Sequence, residues 1–248
     1  MIDFHSHILP GIDDGSKSPE MSMEIIKTGQ NEGVDKFIFT PHFYDHRQSY
    51  EDFIISRKKS IIELKNYYEE QNEAIPDFLL GAEVSLSENT PFMDNLEKLC
   101  IEGTELLLLE IPYTPYVHWA PKAIYSIMYE RGVTPVIAHL DRYIENHGHK
   151  KVIEEIIRMD IPIQINTSAF LDRKARKFVK KLLENDSTVV IGSDVHNLST
   201  RPYEISKARE LANKKFKYPV FEKLASQSEY LLEIYKKWVG TNSNSFLY

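Results

Sequence analysis

Cysteine is almost absent: one, Cys100, in 248 residues. No intrachain disulfide is therefore possible, and Leu106 stands where the C-x5-R loop of a cysteine-based phosphatase would place its arginine. Long apolar runs are missing too. The stretch from Leu106 to Leu109 is among the longest, against about 18 residues for a membrane helix, so no bilayer span is expected. Basic residues are in deficit, 30 against 37 acidic, for a net charge of −7. That balance argues against broad binding to nucleic acid or anionic lipid. Nothing ahead of His5 reads as a basic segment leading into an apolar one, which with the lone cysteine gives a cytoplasmic expectation. Internal repeats, long linkers and low-complexity segments are also lacking. One domain is expected over residues 1–240, with a polar tail over 241–248.

What is present is an alternation of short β-rich runs with helical patterns. Ser18-Pro19 supplies an N-cap followed by proline at the first helical position, ahead of Met21, Ile25 and Ile26. Tyr50, Phe53, Ile54, Ile61, Leu64 and Tyr68 recur as one buried face of a second helix. Seven strands are expected: IDFHSH, VDKFIFT, DFLLGAEV, ELLLLEI, VTPVIAHL, IPIQINTS and STVVIGSDVH. Their apolar interiors lack strict alternation, as in parallel strands covered on both faces. Each ends in polar residues: His7, His42, Glu83, Glu110, His139, Asn166 and Asp194 follow one another at steps of 35, 41, 27, 29, 27 and 28 residues. Each step is about one βα unit. The architecture expected is an α/β single domain built as a distorted seven-stranded (β/α) barrel, whose strand C-termini meet at one mouth.

At that mouth the chemistry is specific. His5 and His7 alternate along a strand and face one way, which is metal-ligand spacing. An isolated H-x-H is more often two hydrogen-bonded histidines. Here five of the nine histidines and two glutamates fall at strand ends, and burying them without a cation leaves several costly polar groups. The donor set of imidazole and carboxylate without thiolate suits Mn, Fe or Zn.

The motifs H-x-H, D-D-G, T-P-H, G-A-E, A-H-x-x-R and S-D-x-H, spread over residues 1 to about 205, together resemble the polymerase and histidinol phosphatase (PHP) family. Within it the pattern is most similar to bacterial manganese-dependent protein tyrosine phosphatases of capsule and exopolysaccharide loci. The resemblance implies three divalent ions, manganese first among the candidates. One would be held by His5, His7, Glu83 and Asp194, a second by Glu83, Glu110 and His139, and a third by Asp14, His42 and His196. Many relatives carry histidine where this sequence has Asp14 and Glu110; carboxylates there resemble the tyrosine phosphatase branch. Asp13 is the nearest substitute for Asp14. Three dications against four carboxylates leave a net positive site suited to a phosphate dianion, which activated water would attack in line.

Arg142 and Arg201, shortly after His139 and His196, are ordinary loop arginines by position. The resemblance makes them catalytic phosphate clamps. The implied reaction is hydrolysis of phosphotyrosine on a protein, the tail of a bacterial tyrosine kinase that controls polysaccharide export being the expected partner. A histidinol-phosphatase-like small-molecule phosphomonoesterase is the alternative. His46, His118, His147 and His149 read as surface or supporting residues. Arg173, Lys174, Arg176, Lys177, Lys180 and Lys181 form a solvated helix face, with docking of an acidic segment as its functional reading. Tyr113, Tyr116 and Trp119 either wall an aromatic substrate or cover the rim.

Overall fold

The computed structural model describes residues 1–144 and 149–236; the tail from 241 and His147 lie outside that range. Among the described residues the chain forms nine strands, all paired parallel. These are β1 (Ile2–Ser6), β2 (Lys36–Phe39), β3 (His42–Phe43), β4 (Asp77–Leu80), β5 (Glu83–Ser85), β6 (Leu106–Glu110), β7 (Thr134–Ile137), β8 (Ile163–Asn166) and β9 (Val189–Gly192). They divide into a sheet of order β1-β2-β4 and one of order β3-β5-β6-β7-β8-β9.

The count therefore differs from the seven expected, for a local reason. VDKFIFT and the residues after it break at Thr40-Pro41 into β2 and β3, and DFLLGAEV breaks at Gly81-Ala82 into β4 and β5. Pro41 has no N–H to give a ladder. Across the breaks the chains stay bound, with Gly81 N–H donating to Phe39 O at 2.9 Å and Glu83 N–H to Pro41 O at 3.0 Å. The two sheets also meet on their other side, where Ser6 bridges Val195.

The helices are α1 (Pro19–Asn31), α2 (Tyr50–Glu70), α3 (Ala120–Arg131), α4 (Lys150–Arg158), α5 (Arg173–Glu184), α6 (Ile205–Lys215) and α7 (Val220–Ile234). Ser18 caps α1 by accepting from Met21 N–H, and Ser49 caps α2 through Asp52 N–H at 3.0 Å. Each such cap contributes about 1 kcal/mol. On α2 the buried side chains include Phe53, Ile61, Leu64 and Tyr68, the face set by the periodicity.

The strands are covered on both sides, as the leucine run shows. Leu107 and Leu109 join the large cluster beneath the helices. Leu106 and Leu108 join a second one with Phe4, Ile38, Val136, Ala138 and Val190. Seen along β6, alternate residues serve opposite faces.

Candidate metal centre

Register carries the polar residues onto the end of the second cluster. His42 pairs with Glu83 across β3 and β5, and Glu83 pairs with Leu108 across β5 and β6, so the carboxylate stands directly beside an apolar residue of that cluster. On β8, Gln164 pairs with Val190 and points the same way. β1 reaches this side by an irregularity: Asp3 pairs with Phe37 but Ser6 with Phe39, three residues advancing against two. A one-residue slip reverses the facing of all that follows. Phe4 can thus enter the apolar cluster while His5 and His7 turn toward the same end.

The structure brings all nine expected ligand residues together. Glu83, fully buried, has Oε2 3.2 Å from Nε2 of both His5 and His7 and 2.9 Å from His42 Nδ1. Its Oε1 lies 2.9 Å from His139 Nε2, and Glu110 Oε1 is 3.5 Å from that same nitrogen. Asp194 Oδ1 stands 3.6 and 3.5 Å from the His5 and His7 rings. Asp14 Oδ1 is 3.4 Å from Nε2 of both His42 and His196. Three groups of atoms each converge tightly enough for one ion: His5, His7 and Glu83; His42, Glu83 and Glu110; and His7, Asp14, His42 and His196. The groupings share members, and His7 reaches two of them.

Glu83 Oε1 and His139 Nε2 share a hydrogen bond, but other close contacts here are not hydrogen bonds. Glu83 Oε2, His42 Nδ1 and His196 Nε2 are buried and lack a hydrogen-bond partner among the described residues, although nitrogens and oxygens of opposite character stand within reach. Lone pairs that converge on a common point instead of meeting N–H groups are what a cation requires. The residues present fit divalent ions.

Electrostatics agree with this arrangement. Burial opposes charge on Glu83, yet the surrounding His5, His139 and His42 hold its carboxyl well below the usual range. Burial likewise opposes a proton on His7, but Asp13 and Glu83 push it up to about 10. Glu110 and Glu83 do the same for His139 against its burial, up to about 9. His196, buried beside His7, is pushed down to about 3.

The backbone is strained at two of these residues. His139 and Asp194 take left-handed conformations, φ 30° and 55°, each costing about 1–3 kcal/mol for a non-glycine residue. Two glycines allow close approach. A Cβ on Gly15 would lie 2.2 Å from His7 O, and one on Gly192 would lie 2.6 Å from His5 Cβ.

Residues 1–232 match the family described as capsular polysaccharide synthesis, CpsB/CapC. The chain belongs to the CpsB/CapC family. Among its relatives, tyrosine-protein phosphatase CpsB of Streptococcus pneumoniae is 31% identical over 236 residues, covering 87% of this chain and 91% of the relative. Tyrosine-protein phosphatase YwqE of Bacillus subtilis is 25% identical over 237 residues, 94% of this chain and 91% of that one. A solved chain from the crystal structures of YwqE from B. subtilis and CpsB from S. pneumoniae, described as unique metal-dependent tyrosine phosphatases, matches with a TM-score of 0.76 at 23% identity over 94% of both chains. That likeness concerns the fold.

In this CpsB/CapC chain Asp3, Gln164 and Tyr203 escaped sequence reasoning, while Asp13 and Asn166, read there as a substitute ligand and as a strand end, take supporting places. Asp13 stands beside the ligand shell: its Oδ2 accepts from His7 Nδ1 at 2.7 Å and from His42 N–H at 3.0 Å, and its Oδ1 from Gly15 N–H at 2.8 Å. Gln164 Oε1 accepts from His5 Nδ1 at 3.0 Å and His139 N–H at 2.7 Å, while Asn166 Nδ2 donates to Asp194 Oδ2 at 3.0 Å. Asp3, Ser193 and Tyr203 form a buried network behind Asp194, with Asp3 accepting from Ser193 Oγ at 2.7 Å and Tyr203 OH at 2.6 Å. The only sequence signal for Gln164 was an amide inside an otherwise apolar strand.

Both arginines reach the centre. Arg142 pairs with Asp194 Oδ2, and Arg201 with Asp194 Oδ1 at 2.7 Å. They line a small cavity of about 120 Å³ with Asn166, Thr167, Ser168 and Thr200. His46 and His118 are exposed, whereas His149 takes the supporting place that the sequence reading left open beside a surface one. It is wholly buried, its ring packed against Tyr113 and Tyr143, and Tyr143 in turn stacks on His139. Tyr113 and Tyr116 are exposed; Trp119 packs against the core and donates to Tyr116 O at 3.0 Å. Cys100 is buried in the core, away from this chemistry.

Proposed function

We propose that the protein is a metal-dependent phosphatase that hydrolyses phosphotyrosine on a protein, the tail of a bacterial tyrosine kinase in polysaccharide export, in the cytoplasm. The observation that carries the reading is Glu83 Oε2, buried among three imidazoles with no hydrogen bond to any of them. His5, His7, Glu83 and Asp194 would hold one ion, Glu83, Glu110 and His139 a second, and Asp14, His42 and His196 a third, manganese being the metal favoured by kinship. Divalent ions bound there supply Lewis-acid activation of water and of phosphoryl oxygens at neutral pH.

The chain's own residues do the rest. Arg142 and Arg201, already converging on the mouth, turn their guanidinium groups from Asp194 to the phosphate oxygens and orient phosphorus for in-line attack. Asp13 fixes the His7 ring so that Nε2 faces the centre, and Gln164 does the same for His5. No described side chain at the mouth stands out as a general acid. A phenolate leaving group, of pKa about 10, departs without one far more readily than an alkoxide, which favours tyrosine over serine esters. The supporting architecture is a distorted barrel of seven βα units in which β2–β3 and β4–β5 are interrupted single strands; the shared inner cluster and the Ser6–Val195 bridge support closure.

The test is kcat/KM of metal-reconstituted protein on a phosphotyrosine peptide, a phosphoserine peptide and histidinol phosphate at matched pH. Phosphotyrosine should lead. A tenfold advantage for histidinol phosphate would make the protein a small-molecule phosphomonoesterase.

A further inference from the structure

Beside the centre, and not lined by the two arginines, lies a second cavity of about 360 Å³ whose walls include Ile12, Asp14, His42, Tyr44, Arg47 and Gln48. It shares Asp14 and His42 with the ligand set, so a phosphoryl group held at the centre would carry its ester substituent to this cavity's edge. The wall facing it is aromatic and cationic. Tyr44 lies half-buried with its ring 5.2 Å from that of His42, and the Arg47 guanidinium sits over Tyr44, 4.4 Å from the ring centroid.

The wall is also held in place before any substrate arrives. Arg47 N–H donates to Tyr44 O at 3.0 Å, and Gln48 N–H reaches the same oxygen at 3.3 Å, closing a turn that leads straight into the cap of α2. Ser87 Oγ, from the neighbouring βα unit, donates to Asp45 Oδ2 at 2.8 Å and ties the turn down. A preorganised wall of this kind spends little conformational entropy on binding. An apolar cavity of about 150 Å³ is enough to hold a benzene ring, so the space is ample for a phenyl group.

We propose that this cavity is the subsite for the aromatic ring of an aryl phosphate, with Tyr44, Ile12 and the face of Arg47 gripping the ring while the phosphoryl group sits at the metal centre. The inference rests on the phosphatase reading above and adds the residues that choose the ester. Selection is by reach and by face: a phosphoserine methylene ends before the cavity and leaves it to water. A ring instead gains an aromatic contact and a cationic edge, together about tenfold in affinity.

The experiment is calorimetric titration of the full chain, manganese-loaded, with phenylphosphonate and methylphosphonate, neither of which is hydrolysed. Wild type should bind phenylphosphonate about tenfold more tightly. Tyr44→Ala should bring the two affinities close together, and so should Ile12→Phe, which fills the cavity without removing its wall. In both variants the methylphosphonate affinity and the number of manganese ions bound should hold. Equal affinities for the two phosphonates in wild type overturn the proposal. So does a Tyr44→Ala protein that loses both phosphonates or its metal in step, because Tyr44 would then prop the centre alone. Should the phenyl advantage stand while phosphotyrosine peptides go uncleaved, the subsite survives and the phosphotyrosine assignment falls.

Discussion

Asp13→Asn changes no heavy-atom count at the centre and removes one charge, which makes it a sharp probe of how the ligand shell is held. Asp13 Oδ2 takes two donors, His7 Nδ1 and His42 N–H, and Oδ1 takes Gly15 N–H. An asparagine can satisfy the first pair only by turning its NH2 against the Gly15 N–H. In metal-free protein the rise of His7 from 6.5 to about 10 corresponds to ~5 kcal/mol of preference for the charged ring. Asp13 and Glu83 share that preference, so the substitution should cost about 2 kcal/mol, or about 4–8 °C in melting midpoint for a chain of this size.

The pH dependence has a definite sign. His7 has its folded pKa raised, so its contribution is complete below 6.5 and fades as pH climbs toward about 10. Asp13 has its folded pKa lowered from 3.8 despite burial, so its contribution disappears in acid. The gap between wild type and Asp13→Asn should be widest between about pH 4 and 6.5 and shrink by pH 9 to 10. Loaded with manganese, the variant should bind metal about 10–100-fold more weakly. The assays are thermal melts of the chelated proteins across pH and calorimetric metal titration. A variant that melts and binds metal like wild type at pH 6 would refute the positioning role, and an unchanging gap from pH 5 to 10 would refute its electrostatic origin.

His42→Ala and Glu110→Ala should each lower kcat by about 10²-fold or more while far-UV circular dichroism is unchanged; full activity in either removes that residue from the centre. Loading chelated protein with manganese at about pH 7.5 should release more than one proton, because His7 and His139, pushed up to about 10 and 9, give theirs up to bind. Affinity then weakens as pH falls, and calorimetry in buffers of different ionisation enthalpy would expose the absence of any such release. Arg142→Ala and Arg201→Ala should raise the inhibition constant of inorganic phosphate about tenfold or more, and an unchanged constant strikes that arginine from the clamp. Cys100→Ser should keep its activity and lose about 1–2 kcal/mol of stability from a buried hydroxyl; an inactive but folded variant would overturn the metal-based mechanism.

The strand ends were legible because a parallel strand buried on both faces is apolar until it stops, so most polar residues in the series from His7 to Asp194 lie at an end or within two residues past it; His42 and Glu83 instead open β3 and β5, just after the breaks. What was not legible depended on geometry that sequence does not encode locally. H-x-H reads the same on either side of a one-residue slip, so the irregularity in β1 that aligns His5 with Phe4 left no trace. Asp13 and Asp14 are chemically alike, and only the close turn at Gly15 against His7 decides which faces Nδ1 and which faces His42 and His196. His149 sits in a polar stretch that suggests solvent; its ring is buried against nearby Tyr143 and against Tyr113, 36 residues earlier. The breaks at Thr40-Pro41 and Gly81-Ala82 changed the strand count without moving the residues that follow them away from the mouth.

The hydrogen bonds from Asp194 N–H to His5 O and from His7 N–H to Val195 O, at 2.8 and 3.0 Å, set a timetable for the nascent chain. His5 leaves the ribosome 189 residues ahead of Asp194, a wait of roughly 10–40 s at ~5–20 residues per second. Through that interval β1 has an open edge where Val195 will lie, and its two imidazoles lack the carboxylate that completes their site. A chain halted between β2 and Asp194 carries a partial chelator on a strand with one open edge, so full metal loading belongs after synthesis and acceptance of metal reports that these distant segments have met.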